Sequence, residues 1–266
     1  MIAIPITIVV LFLLWLFLIA PKNRKEMNDF KSLYYAHRGL HNDERAENSM
    51  SAFKAAVDAG YGIELDIRLS KDGKLVVFHD DTLDRVCGRE GKVIDFTADE
   101  LATFKLNGTN DGVPLFSDVL SLIGGKVPLL VEIKEDPGVD AVSKAACEML
   151  SQYKGEFIVE SFNPLSLGTV KKHRPQFVRG ILSQRYYAYE QYRKPLYFAL
   201  QSLLLNVICR PAFIAYDHRH AKSFALRFVR KLFGVPTLAW TVRSPEEEKE
   251  ARKNGFDGII FENYIP

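Results

Sequence analysis

YGIELDIRLSKDGKLVVFHD, residues 61–80, is the stretch on which the fold turns. The apolar run Tyr61–Ile63 leads into Glu64-Leu65-Asp66, and i, i+2 spacing puts both carboxylates on one face of a strand. Asp72-Gly73 then favours a tight hairpin turn, and Leu75–Phe78 returns as a second apolar run ending in His79-Asp80. With Asp72 and Gly73 at the turn centre, position 71 faces 74 and Asp66 faces His79; a bulge shifts this pairing by one residue. The hairpin is expected to rise above a sheet and to bring His79 back beside Glu64 and Asp66.

Two further clusters have the same form. His37-Arg38-Gly39 follows the run Leu33–Ala36, and Glu132-Ile133-Lys134 closes the run Val127–Val131. Beyond residue 32 the chain repeats one rhythm, a short apolar run and then a stretch with helical spacing. Strands are expected at 33–37, 61–67, 127–133, 156–162, 177–182, 213–217, 236–242 and 257–262. Helices are expected at 49–59, 98–106, 115–123, 138–152, 164–173, 190–206, 219–233 and 245–254, with Asn48-Ser49 and Ser244-Pro245 as start signals. Alternation of this kind over residues 33–266 predicts an α/β chain folded as a (β/α)8 TIM barrel, with a β-hairpin excursion after strand 2. A doubly wound open sheet is the alternative, weakened because no Gly-rich phosphate loop follows the first strand. The eighth run ends near Pro266, so either a closing helix is missing or another segment covers that strand.

Residues 2–20 contain no charged side chain, and as a helix they would reach roughly 28 Å, near the thickness of a bilayer's hydrocarbon. Residues 1–21 therefore read as a transmembrane anchor and 22–32 as a basic tether. A cleaved leader is the rival, disfavoured because no basic residue precedes the run and Leu18-Ile19-Ala20 lacks a small-x-small site. Lys22, Arg24 and Lys25 after the span put the barrel on the cytoplasmic side, a single-pass arrangement. Cys87, Cys147 and Cys209 form neither a disulfide framework nor a metal-ligand pattern, and a formal charge of +2 does not suggest a nucleic-acid binder.

If the four clusters share one barrel mouth, their chemistry is specific. Glu64, Asp66 and Glu132 supply hard oxygen ligands suited to one divalent cation, Ca²⁺ or Mg²⁺, rather than zinc. Salt bridges to Arg38, Lys134 or Arg68 are the alternative use of these acids. Glu47 could join the same shell or merely precede a helix cap. His37 and His79 are proton-transfer candidates because imidazole titrates near neutral pH. Arg38 and Lys134 offer fixed positive charge to phosphate oxygens.

His-Arg-Gly at 37–39, Glu-Asn-Ser at 47–49, Glu-Leu-Asp at 64–66, Lys-Asp-Gly with Val-Val-Phe-His-Asp at 71–80, Glu-Ile-Lys at 132–134, Ser161-Phe162 and Trp240-Thr241-Val242 together resemble the glycerophosphodiester phosphodiesterase family. The resemblance runs in order through nearly everything after residue 32. It implies a metal-dependent barrel that cleaves glycerophosphodiesters to glycerol 3-phosphate and an alcohol. It further implies His37 and His79 as the catalytic pair, Glu64, Asp66 and Glu132 as metal ligands, and Arg38 and Lys134 on the phosphate. Trp240 and Phe162 would lie against the glycerol or lipid portion. One departure stands out: the family commonly ends its last strand in Thr-Asp-x-Pro, whereas this chain has Ile260-Phe261-Glu262-Asn263.

Three functions follow as expectations: hydrolysis of small glycerophosphodiesters, lysophospholipase-D-type cleavage of membrane lysolipids at the same site, or an inactive membrane protein that binds lipid headgroups. The Tyr-rich stretch 186–208 reads as an interfacial lid or a barrel helix, and the basic stretch 219–233 as a membrane-facing or a solvated helix. The oligomeric state has no signature in the sequence.

Overall fold

The computed structural model describes residues 3–22, 25–135 and 140–266. Strands β1 (Tyr34–Ala36) and β2 (Gly62–Leu69) are followed by a short β3 (Leu75–Val77). Then come β4 (Leu129–Ile133), β5 (Phe157–Ser161), β6 (Arg179–Ser183), β7 (Phe213–Asp217), β8 (Thr237–Val242) and β9 (Gly258–Phe261). All but β3 run parallel, and β1 pairs with both β2 and β9, so the ring closes as the expected (β/α)8 barrel. β3 lies antiparallel on the outer end of β2 and forms the excursion.

Strand periodicity explains what the ring holds. Ile63, Leu65, Ile67, Leu129, Val131 and Ile133 pack outward with helix residues such as Phe53, Phe116, Leu167 and Val229. The alternate positions point inward. Leu130, Ile158, Phe213 and Leu238 fill the first halves of their strands, Glu64 lies level with Leu130, and the acids Asp66, Glu132 and Glu160 come after, toward the C-terminal ends. The segment expected to be a loose tether is part of this core. Its 3₁₀ turn Lys25–Asp29 places Met27, 1% exposed, with Phe30 in the interior cluster, an apolar burial worth about 1.5–3 kcal/mol for the methionine.

The hairpin differs from expectation by one residue. Ile67 pairs with Val77 and Leu69 with Leu75, and Phe78 donates its amide to the carbonyl of Asp66, so Asp66 faces Phe78 rather than His79. Ser70 pairs with Lys74 around a three-residue loop, with Gly73 at φ 74° supplying the left-handed position such a loop requires. After β3, residues up to Val113 build a small lobe with its own core of Phe78, Leu83, Val86, Leu101, Phe104 and Leu106. The sequence reading had placed only a helix there.

Other boundaries moved for local reasons. The expected helix 190–206 is a 3₁₀ turn, Glu190–Tyr192, and two short helices, Pro195–Gln201 and Asn206–Cys209. Pro195 starts the first, since it lacks an amide to continue a preceding helix. Leu203, at φ 58°, breaks between the two. Helix 219–233 begins only at Phe224, after the 3₁₀ turn His218–His220. Of the expected helix 138–152, positions 138 and 139 lie outside the described residues; the helix runs from Ala141 to Leu150 with Asp140 as its N-cap. Among the described residues no helix follows β9, and Phe261 is covered by the rings of Tyr34, Tyr61 and Tyr264, at 6.4, 5.0 and 5.8 Å.

The N-terminal helix spans Ala3–Ile19, 17 residues, and among the described residues no helix is long and apolar enough to cross a membrane. The expectation of a spanning helix is thereby corrected: at 1.5 Å per residue it reaches about 26 Å, and its last turn belongs to the barrel. Ile19 is buried in the outer core, its carbonyl accepts from Asn206 Nδ2 at 2.9 Å, and Trp15 meets Phe228 at 4.6 Å. The preceding turns stand clear of the protein, with Ile6, Ile8 to Leu14 and Phe17 all exposed. Of the basic side chains in 219–233, Arg219 is paired with Asp217, and Arg230 donates to the carbonyl of Asn254 at 2.8 Å. Ile2 and Arg24 lie outside the described residues.

Candidate active site

His37 leaves β1 through a turn that only certain residues can make. Arg38 sits at φ 56° and Gly39 at φ 81°; a Cβ on Gly39 would approach Ala52 and Phe53 to 2.9–3.0 Å. The turn aims the amide of Arg38 at Glu64 Oε2, 2.9 Å away, and its guanidinium across the mouth toward Asp66, 3.5 Å. Glu47 accepts from Arg38 at 2.7 Å and is held in turn by Arg85 through two 2.7 Å bonds. Glu47 therefore fixes an arginine and is not among the side chains lining the cavity.

That cavity, about 210 Å³, is walled by His37, Arg38, Glu64, His79, Glu132, Lys134, Phe162 and Trp240, together with Glu160, Thr241 and Arg243. Nearly all the residues singled out from the sequence thus meet in one place. Asp66, 1% exposed, lies among them. Oxygens of Glu64, Asp66 and Glu132 fall within 4.8 Å of one another. Lys134 bridges two of them, 2.6 Å from Glu132 and 3.2 Å from Asp66. Asn48 donates to Asp66 at 2.8 Å, while Ser49 caps the following helix. Phe162 and Trp240 meet edge to face at 5.4 Å.

The electrostatics are those of a crowded acidic site. Burial pushes Glu132 up to about 7, with Lys134 opposing and Asp66 adding to the shift. Burial, reinforced by Asp66 and Glu132, holds Glu64 well above the usual carboxylate range, and Glu160 is raised likewise by burial and by Glu132 and Glu64. At Asp66 burial acts upward too, but Lys134, His79 and Arg38 outweigh it and the carboxylate stays ionised. Buried carboxylates so close need protons or positive charge to neutralise them, and Lys134 and Arg38 supply part of that charge. Glu160 Oε2 is buried without a hydrogen-bond donor, and the ligand atoms of the Glu64, Asp66 and Glu132 cluster are all hard oxygens. Both observations fit a site for Ca²⁺ or Mg²⁺.

Each histidine is oriented by a carboxylate. His37 Nδ1 lies 2.5 Å from Glu262 Oε2, and His79 Nδ1 lies 2.6 Å from Asp80 Oδ1. The carboxylates accept from protonated Nδ1, which leaves Nε2 of each ring as the proton acceptor; on His37 it is 4.0 Å from Glu64. Burial lowers both imidazoles, His79 to about 4. Glu262 is also 2.6 Å from Arg243 and 3.7 Å from His41. The sequence gives Asp80, Glu160 and Glu262 no role in the site and marks Asn48 only as part of a helix start. Asp80 could have been found beside His79, and Glu160 and Glu262 at strand ends.

Comparison with known proteins agrees with this geometry. Residues 37–265 match the model of the glycerophosphoryl diester phosphodiesterase family. A glycerophosphodiester phosphodiesterase of Caldanaerobacter subterraneus is 33% identical over 256 residues, covering 88% of this chain and 95% of that protein. A rat lysophospholipase D is 31% identical over 149 residues, 51% of this chain and 46% of that protein. A phosphodiesterase of Oleispira antarctica, solved with sn-glycerol-3-phosphate, superposes with a TM-score of 0.73 at 23% identity over 89% of this chain and 95% of its own. A glycerophosphodiester phosphodiesterase structure from Thermotoga maritima gives 0.67 at 28% identity over 86% and 93%. With its barrel, its acid cluster and its two oriented histidines, this chain belongs to the glycerophosphoryl diester phosphodiesterase family.

Proposed function

We propose that the protein is a metal-dependent hydrolase of glycerophosphodiesters, releasing glycerol 3-phosphate and an alcohol by two-histidine acid–base catalysis. The observation that carries this reading is that two histidine–carboxylate pairs open onto the same cavity as a buried three-carboxylate cluster. Glu64, Asp66 and Glu132 would hold the cation, which when bound supplies Lewis-acid stabilisation of charge on the phosphate oxygens. Arg38 and Lys134 bind that phosphate from the cavity wall. His37 Nε2 takes the proton of the attacking hydroxyl while Glu262 stabilises the imidazolium that forms; water as attacker gives glycerol 3-phosphate directly, whereas the substrate's 2-hydroxyl gives a cyclic phosphate that a second attack, by water, opens to glycerol 3-phosphate. His79 donates a proton to the departing alkoxide as its bond to phosphorus breaks, and the anionic diester in the cavity favours protonated His79. Phe162 and Trp240 form the apolar wall for the glycerol portion.

The N-terminal helix supports work at a membrane. Its apolar side chains are exposed around its circumference with no cover among the described residues, and the basic residues after it favour the anionic cytoplasmic membrane surface. Attachment through this helix would bring lysophospholipids within reach, and one further cavity favours them as a second substrate class. The test is an assay of the full-length protein on glycerophosphocholine, stripped with EDTA and then given Mg²⁺ or Ca²⁺. Turnover restored by cation supports the proposal. Turnover indifferent to EDTA overturns the metal role, and none at all points to an inactive headgroup-binding protein.

A further inference from the structure

We infer that the catalytic pocket continues into a dedicated site for the acyl chain of a monoacyl glycerophosphodiester, and that the helix Pro195–Gln201 forms its wall on the lipid side. This deepens the proposed phosphodiesterase reading and rests on it for the reaction. A second cavity of about 620 Å³ shares His79, Lys134 and Phe162 with the catalytic pocket, so the two adjoin at those side chains. Its size lies within the about 300–1,000 Å³ that small-molecule sites occupy. Its walls include Glu135, Asn163 and Gln184 but are mostly apolar and aromatic, with Tyr186, Tyr192, Tyr197, Leu200, Leu205 and Ile208. The three tyrosine rings pack on one another at 4.7–5.6 Å, which makes that wall firm. Leu165 and Leu196, also lining the cavity, are 57% and 59% exposed. A polar headgroup has no reason to be given such a lining; a hydrocarbon chain does.

The placement of the helix Pro195–Gln201 selects the source of that chain. Leu196, Tyr197 and Leu200 face this cavity, while Phe198 and Gln201 line a neighbouring groove with Trp15 of the N-terminal helix and Phe224. No residue of the short helix is buried; the carbonyl of Leu200 and the amide side chain of Gln201 reach Ser183 and the Tyr187 amide at 3.5 and 3.1 Å. The wall of the chain site is thus also the neighbour of the apolar N-terminal helix. A chain leaving a bilayer at that helix meets the helix Pro195–Gln201, whose other face lines the cavity that ends at His79 and Lys134. In the reaction water adds to phosphorus, the bond from phosphorus to the headgroup oxygen breaks, and that oxygen takes the proton; lysophosphatidic acid and the headgroup alcohol are released, the acyl ester intact.

The test uses full-length protein with Mg²⁺, glycerophosphocholine, and hexanoyl to dodecanoyl glycerophosphocholines below their micelle concentrations. The expected kcat/KM rises with chain length by up to about fourfold per methylene until the cavity is full. Leu200→Trp and Leu196→Glu, outside the catalytic pocket, flatten that dependence while turnover of glycerophosphocholine stays within about twofold. Calorimetric binding of the same series in EDTA, where no turnover occurs, follows the same order. Glycerophosphocholine hydrolysis with no chain-length dependence in rate or binding overturns the chain site and leaves the phosphodiesterase reading standing. Chain-dependent binding, lost in Leu200→Trp, without hydrolysis of any substrate does the reverse. Decanoate binding as tightly as decanoyl glycerophosphocholine shows a fatty-acid site and also overturns the inference.

Discussion

Glu262 holds His37 across the seam where the barrel closes: Oε2 lies 2.5 Å from Nδ1, although the two residues are 225 positions apart. β9 pairs with β1, and the amide of His37 donates to the carbonyl of Phe261, so strand pairing itself delivers the carboxylate to the ring. The departure from the family's Thr-Asp-x-Pro ending therefore retains an acid at the strand end, one methylene longer than aspartate. Glu262→Gln keeps the shape but loses the charge that stabilises an imidazolium. The expected result is a kcat lowered about 10–100-fold with KM changed little, read from steady-state kinetics on glycerophosphocholine. An unchanged kcat would remove Glu262 from the positioning of His37.

His79 is tested by its leaving group. An alkoxide departs badly without a proton, whereas nitrophenolate needs none. His79→Ala is expected to lose about 10²–10⁴-fold on glycerophosphocholine and far less on a nitrophenyl phosphodiester. Equal losses on both substrates would assign His79 to binding rather than to proton donation.

Cation binding and pH are coupled through Glu132. Its folded pKa, raised from 4.5 to about 7, means that the metal-free protein keeps a proton there that the unfolded chain has lost. Between these values metal-free stability declines on this group's account as pH rises, because the folded state binds more protons. A cation must displace that proton, so the rise in Tm on adding Mg²⁺ or Ca²⁺ should be small near pH 5.5 and full by about pH 8. Thermal unfolding with and without cation at each pH measures it. In Glu132→Gln the increment should be small and flat with pH.

The N-terminal helix divides into two parts with different roles. Removing residues 1–14 takes away side chains that are exposed at every position described, 5–14, and should abolish sedimentation with liposomes while leaving glycerophosphocholine turnover unchanged. Removing residues 1–21 also deletes Trp15, Leu16 and the buried Ile19, and should cost about 2–4 kcal/mol in denaturant unfolding. Liposome binding that survives the shorter deletion would place the membrane contact elsewhere.

Local spacing was enough for the ring of strands and for most of the site. Glu64 and Asp66 share a parity, and so do Leu130 and Glu132, and a two-residue period sends each pair to one face wherever the strand lies. Apolar runs alternating with helical stretches located all eight parallel strands. What spacing could not supply was anything decided by a neighbour distant in the chain. Gly73 in the left-handed region moved the hairpin pairing by one residue, and Phe78 took the place opposite Asp66 expected for His79. The lobe after β3 and the broken helix at Pro195 arise from packing among short segments that have no long period to read. Ile19, apolar like the rest of its helix, became core because Asn206 and the outer barrel surface receive it. The partners of the two histidines divide the same way: Asp80 is adjacent to His79, whereas Glu262 reaches His37 only once β9 has paired with β1, since ring closure joins the two ends of the domain.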